Sequence, residues 1–355
     1  MSLDFLSPVK DIVLAHNELQ SDQAIGRKLK IHSQQHGLPD IEDVKIAIIG
    51  VPEHRNDMDY LGEGYDFHEI RKAFYSFFPG NWSYTIADLG NIEPGETVED
   101  TYFALRSTIE TLLKENVIPV VLGGSQDLTY ACYRAYDNLM PMVNVANIDS
   151  NFDLGDSAKP ITNKSFLGKI IMEKPYNLFN YATIGYQTYF NPQEEIDLMD
   201  KLYFEAYRLG EISNNINGVE PILRDANIVT MDLNCVEASA VSEKQKFSPN
   251  GFNGREICAI ARYAGISNKV SSFGVYEYRP SKDDQATSFL IAQILWYFIE
   301  GVNCRILDDD FTNENNFQKF TVLVEDNELV FYKSNKTGRW WIEIPFLPNV
   351  HNKLN

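Results

Sequence analysis

From Val44 onward the chain alternates short β-branched runs with longer segments of helical period, and this alternation leaves few folds open. A strand that returns to its own sheet through a helix runs parallel to its predecessor. The pattern therefore predicts βαβ units: a three-layer α/β domain with a mainly parallel sheet and helices on both faces. The strands read from the sequence are Lys45–Val51, Ile118–Leu122, Met142–Ile148, Ala182–Ile184, Ile228–Leu233 and Val270–Tyr276. Between them, Tyr102, Leu105, Ile109 and Leu112 recur at helical spacing within 98–114, and 127–139, 254–264 and 283–299 are further helices. After Cys304 the pattern changes to three short β-like runs, Phe320–Val324, Leu329–Tyr332 and Trp340–Ile344, separated by turn sequences. The expected organisation is an N-terminal arm over 1–43, the α/β domain over 44–305 and a C-terminal β-meander over 306–355.

Charge and cysteine usage narrow the partners. The 355 residues carry a formal charge of −19 and no basic cluster, which opposes nucleic acid and anionic membranes. Cys132, Cys235, Cys258 and Cys304 are far apart and form no CxxC pair, so they read as reduced thiols and not as a zinc knuckle. Nothing approaches the roughly 20 apolar residues of a membrane span, and the N-terminus lacks a basic, then apolar leader, so a cytoplasmic location is expected.

Three polar cassettes fall where predicted strands end: Gly123-Gly124-Ser125-Gln126-Asp127, Asp149-Ser150-Asn151-Phe152-Asp153 and Thr230-Met231-Asp232-Leu233-Asn234-Cys235-Val236-Glu237. Glu277 follows a fourth strand. Ligands of open parallel sheets bind outside the carboxyl ends of the strands, so Asp149, Asp153, Asp232, Glu237 and Glu277 are expected to face one crevice. No histidine lies between His68 and His351, so Ser125, Ser150 and Cys235 have no nearby imidazole to make a nucleophile of them. Two carboxylates about 4 Å apart repel by on the order of 4 kcal/mol at an effective dielectric of about 20. Such a cluster must hold a proton, recruit a Lys or Arg, or bind a cation.

In order and spacing the cassettes resemble GGDHS, DAHxD and SxDxDxxDP, the signatures of the arginase, agmatinase and formimidoylglutamase (ureohydrolase) family. Further matches are Ile48-Ile49-Gly50-Val51-Pro52, Asp88-Leu89-Gly90, Ser248-Pro249-Asn250-Gly251-Phe252 and Val275-Tyr276-Glu277-Tyr278-Arg279-Pro280. The resemblance implies an arginase-like fold over roughly Val44 to Cys304, a homo-oligomer and a two-manganese site. It assigns the bridging aspartates to Asp149 and Asp232. Metal A falls to Gln126 and Asp153, and metal B to Asn151 and Asn234. Site A thus keeps three carboxylates and exchanges a histidine for an amide, whereas site B loses both of its own ligands. The proton-shuttling SHG histidine has no counterpart near Ser165-Phe166-Leu167-Gly168.

The reading that follows is a degraded binuclear centre. Two outcomes stay open: one divalent cation, Mn²⁺, Mg²⁺ or Ca²⁺, on Gln126, Asp149, Asp153 and Asp232, whose all-oxygen donor set suits hard ions, or no metal. A second ion is not expected. Asp149, Asp232 and Glu277 are the candidate catalytic carboxylates, and Glu277, Asn151 and Glu237 the candidate substrate-binding residues. The expected function is an altered or non-catalytic binder of a small cationic amidine or guanidine. The alternative is a hydrolase of linear amidine C–N bonds working with one metal. Glu277 could receive the ligand's cation by two parallel hydrogen bonds, or pair internally with Arg279.

Overall fold

The apolar runs become the centre of one ten-stranded sheet. In chain order its strands are β1 Leu6–Ser7, β2 Lys30–Ile31, β3 Val44–Val51, β4 Thr85–Ile92, β5 Ile118–Gly123, β6 Val143–Ile148, β7 Leu178–Tyr186, β8 Glu205–Arg208, β9 Ile228–Asp232 and β10 Ser272–Tyr276. Their spatial order is β1-β4-β3-β5-β10-β9-β6-β7-β8, with β2 also paired to β4. β1 is antiparallel to β4, and the other pairings are parallel. β5, β9 and β10 are buried at every position, as expected of central parallel strands covered on both faces. The computed structural model describes residues 3–59, 66–156, 158–241, 248–279, 285–308, 314–324 and 327–343.

Helices cover the sheet on the faces that their apolar periods dictate. The helix Val98–Lys114 starts at a capping box in which Thr97 and Asp100 satisfy each other's backbone N–H groups, and it buries Tyr102, Leu105, Ile109 and Leu112. A second box, Asn253 with Glu256, opens the helix Gly254–Ile266. That helix packs against Ala286–Asn303 so closely that a Cβ on Gly265 would lie 2.1 Å from the Phe298 carbonyl oxygen. The helix expected over 127–139 is shorter, Leu128–Arg134. Beyond it the backbone tightens to i−3 hydrogen bonds, Ala135 N–H to Cys132 O and Tyr136 N–H to Tyr133 O. His32 and His36, spaced as on a helix, instead follow β2 on a turn. No helix among the described residues is long and apolar enough to cross a membrane.

Residues Met1–Cys304 form one compact unit, in which the first 43 residues contribute β1 and β2 to the sheet. Arg305–Asn355 form a second unit. Within it, β11 Phe317–Val324, β12 Asn327–Ser334 and β13 Trp340–Glu343 make an antiparallel three-stranded sheet. Trp340 and Trp341 take opposite faces, with ring centroids 5.0 Å from Phe320 and 5.7 Å from Phe317 respectively.

Candidate metal centre

The ladder register brings the cassettes together. Val275 pairs with both Leu122 and Met231, Tyr276 with Asp232, and Ile148 with Met231. The residues that follow β5, β6, β9 and β10 therefore leave the sheet side by side. Gly124 is the residue that lets the first cassette in: a Cβ there would lie 2.0 Å from the Glu53 carbonyl oxygen. Without one, Gly124 N–H donates to Val51 O, Ser125 N–H to Glu53 O, and Glu277 N–H to Gly124 O at 2.7–2.9 Å.

Asp149, Asp153 and Asp232 are buried, and each offers one carboxylate oxygen to a trio whose members lie within 4.8 Å of one another. Asp149 accepts from Asn151 N–H at 2.9 Å and from Asn147 Nδ2 at 3.1 Å. Asp232 accepts from Asn234 N–H at 2.6 Å and from Asn234 Nδ2 at 3.4 Å. Burial first, and then the neighbouring Asp149, pushes the Asp153 carboxyl well above the usual carboxylate range. That direction favours the protonated carboxyl when no cation is present. Asp153 also carries φ +54°. A left-handed backbone costs a non-glycine residue about 1–2 kcal/mol and is retained only where the surroundings enforce it.

The hydrogen bonds fix the orientation of Gln126. A carboxylate only accepts, so Asn147 turns its Nδ2 to Asp149, which leaves Asn147 Oδ1 facing Gln126. Gln126 must then present Nε2, donating to Asn147 Oδ1 and Thr230 Oγ1, each at 3.1 Å. Its Oε1 is buried and has no hydrogen-bond partner, as are Asp153 Oδ2 and Asn234 Oδ1. Orphaned acceptors beside three carboxylates fit one hard cation.

Glu277 is engaged on both oxygens. Oε1 accepts from Gln126 N–H at 2.8 Å and Asn163 Nδ2 at 3.3 Å; Oε2 accepts from Arg279 Nη2 at 3.0 Å and Asn234 Nδ2 at 3.5 Å. Of the two pairings open to Glu277 in the sequence, the protein contains the internal one with Arg279. Burial, and then Asp57, raises its carboxyl to about 8, and its φ is +62°.

The remaining expected residues are used elsewhere. Asn151 Nδ2 donates to Phe190 O at 3.2 Å and its Oδ1 accepts from Ser150 Oγ at 2.9 Å, so neither end of the amide stands open. Glu237 does not join the clustered carboxylates. It accepts from Ser239 Oγ at 2.6 Å and lines a cavity of about 650 Å³ with Asn253, Arg255, Cys258, Gln293 and Tyr297; none of the three aspartates lines that cavity. The 3₁₀ turn Leu233–Cys235 and the bridge between Val236 and Phe252 redirect the chain before it reaches Glu237. Asp57, Asn147 and Asn163 were not singled out in the sequence, and Thr230 stood there only as the first residue of the third cassette. Asn147 and Thr230 carried a signal, polar residues inside otherwise apolar strands, whereas Asp57 and Asn163 carried none.

A model of the arginase family matches residues 44–300. The formimidoylglutamase of Streptococcus gordonii is 26% identical over 234 residues, covering 61% of this chain and 70% of that protein. Among solved structures, formimidoylglutamase from Bacillus subtilis aligns with a TM-score of 0.69 at 18% identity, over 84% of this chain and 95% of that one. Formiminoglutamase from Trypanosoma cruzi, solved with Mn²⁺, aligns with a TM-score of 0.66 at 18% identity, over 75% and 96%. These two solved structures share the fold described above.

Proposed function

Because the chain belongs to the arginase family, we propose that Asp149, Asp153, Asp232 and the Gln126 carbonyl hold one divalent cation, and that the protein is an altered-function member built around that single ion. The observation that carries this reading is the contrast between two amides. Gln126 Oε1 is buried without a donor, whereas Asn151 is hydrogen-bonded at both ends. The donor set is all oxygen, which favours Mn²⁺, Mg²⁺ or Ca²⁺ over Zn²⁺. A bound divalent ion supplies positive charge that can polarise a carbonyl or amidine. Asp153 must release its proton to serve as a ligand. Asn147 holds both Asp149 and Gln126 in orientation, and Asn234 braces Asp232. No histidine lies between His68 and His351 to carry protons at neutral pH.

A second reading, hydrolysis of linear amidine C–N bonds with one metal, is favoured by the relatives named formimidoylglutamase. Metal analysis of the purified protein after equilibration with Mn²⁺, followed by assays on formimidoylglutamate, arginine and agmatine, separates the two. One ion per chain with no formamide or urea above buffer is expected. One ion with formamide release selects the hydrolase. Two ions, or none, defeats the single-ion reading.

A further inference from the structure

Beside the aspartates lies a second acidic pair that already contains a ligand. We propose that the Arg279 guanidinium is the built-in occupant of a cation subsite formed by Asp57 and Glu277, and that it closes this subsite to external guanidinium and amidinium compounds. Arg279 Nη2 donates to both Asp57 oxygens, at 3.2 and 3.1 Å, and to Glu277 Oε2 at 3.0 Å; Nε donates to Asp57 Oδ2 at 3.3 Å. The side chains of Asp57 and Glu277 are fully buried and that of Arg279 is 3% exposed.

The pair is organised independently of the arginine. Asn163 Nδ2 donates to Asp57 Oδ1 at 3.2 Å and to Glu277 Oε1 at 3.3 Å, so one amide holds both carboxylates. Gln126 N–H fixes Glu277 from a further side. Two braced carboxylates around a planar fork of N–H donors form the arrangement that recognises a guanidinium or an amidinium. Here the cation arrives on the same chain, two residues beyond Glu277, at a point where Glu277 itself takes a left-handed backbone out of β10. A tethered ligand acts at a high effective concentration. An external cation must displace it and leave a buried guanidinium without carboxylates, a penalty that a free ligand does not offset. The small cationic ligand expected from the sequence would therefore meet its carboxylate already taken. Arg279 thus sets specificity by exclusion.

The test uses the full chain with a chelator present throughout, so that its outcome does not depend on whether the aspartates hold an ion. Arg279→Ala vacates the fork. Acetamidinium chloride at tens of millimolar should raise the melting temperature of Arg279→Ala by at least about 3 °C over equal sodium chloride, while wild type responds equally to both salts. Equal responses in Arg279→Ala overturn the proposal. Wild type supplies an arm that does not require the variant to fold: calorimetric titration with acetamidinium and agmatine. Absence of binding supports closure, as does binding that Glu277→Gln leaves unchanged. Binding that Glu277→Gln abolishes shows an open subsite and overturns the proposal.

Discussion

Asp153→Asn should stabilise the protein in chelator and lose most of that advantage when a divalent cation is present. In the protein alone, one Asp153 oxygen lies within 4.8 Å of an oxygen of Asp149 and of one of Asp232. Two unit charges at that separation repel by about 3.5 kcal/mol at an effective dielectric of about 20. Burial and Asp149 raise the Asp153 carboxyl above its ordinary 3.8, which favours its protonated form. The sign follows from linkage. A carboxyl raised in the folded state contributes stability that is complete below its ordinary value and is lost as pH rises toward the folded one. Asparagine imitates the protonated carboxyl and does not titrate. In chelator, the variant and wild type should unfold alike near pH 4, and the variant should become the more stable as pH rises, by less than the one-pair ceiling of about 3.5 kcal/mol. At a cation concentration about 100 times the dissociation constant, wild type gains about 2.7 kcal/mol. The variant, one charge short in the donor set, should gain less than about 1 kcal/mol. Urea unfolding followed by circular dichroism, in chelator and in Mn²⁺, reads all four conditions. A variant less stable than wild type in chelator at pH 8 refutes the electrostatic account. A variant that keeps the full Mn²⁺ gain refutes the donor set.

Three further outcomes bear on individual parts of the site. Gln126→Leu should lower divalent-cation affinity at least about tenfold by calorimetry, and Asn151→Ala should leave it unchanged; equal losses would reject the division between the two amides. Glu277 sits at about 8 against an ordinary 4.5, so wild type in chelator should lose stability as pH rises through that window. Glu277→Gln should flatten that slope by up to about 1.4 kcal/mol per pH unit, and an unchanged slope contradicts the assignment. Gly124→Ala places a Cβ 2.0 Å from the Glu53 carbonyl oxygen, against backbone that cannot rotate aside as a side chain can. A loss of about 3 kcal/mol is expected in thermal unfolding, and a neutral substitution would show that the loop has room.

The central strands were legible because burial on both faces makes them continuous apolar runs, as at β5 and β10. β4 was harder, since Asp88 and Asn91 interrupt it. Both are buried against Arg71, whose Nε and Nη2 reach Asp88 at 2.8 and 3.1 Å and whose Nη1 reaches Asn91 at 2.8 Å. β8, Glu205–Arg208, is a short edge strand without an apolar run to announce it. In the site, Asp149 and Asp232 could be read because the one directly follows and the other ends a strand whose register is fixed by its core face. The pairing of Arg279 with Asp57 spans 222 positions and carries no local period, so only the folded chain shows it. Glu237 misled for a related reason: five residues past Asp232, its direction is set by a 3₁₀ turn and not by the strand.

The two amides that stand where the resemblance places histidines show why residue type alone does not decide whether a ligand survives. An imidazole offers a metal one nitrogen whatever its other nitrogen does, provided the tautomer allows it. An amide carbonyl has two lone pairs, and a donor that has claimed one competes with a cation for that oxygen. At Gln126 the chain of donors runs one way: Asp149 can only accept, so Asn147 gives its Nδ2 there, and Gln126 gives its Nε2 to Asn147. The carbonyl is left over by elimination. At Asn151 the neighbours have the opposite character, a hydroxyl on the carbonyl and a backbone carbonyl on the amide. The same class of substitution therefore leaves a free donor at one position and an engaged one at the other. It also makes Asn147, which touches both Asp149 and Gln126 while not belonging to the aspartate cluster, the side chain on which the single-ion site depends.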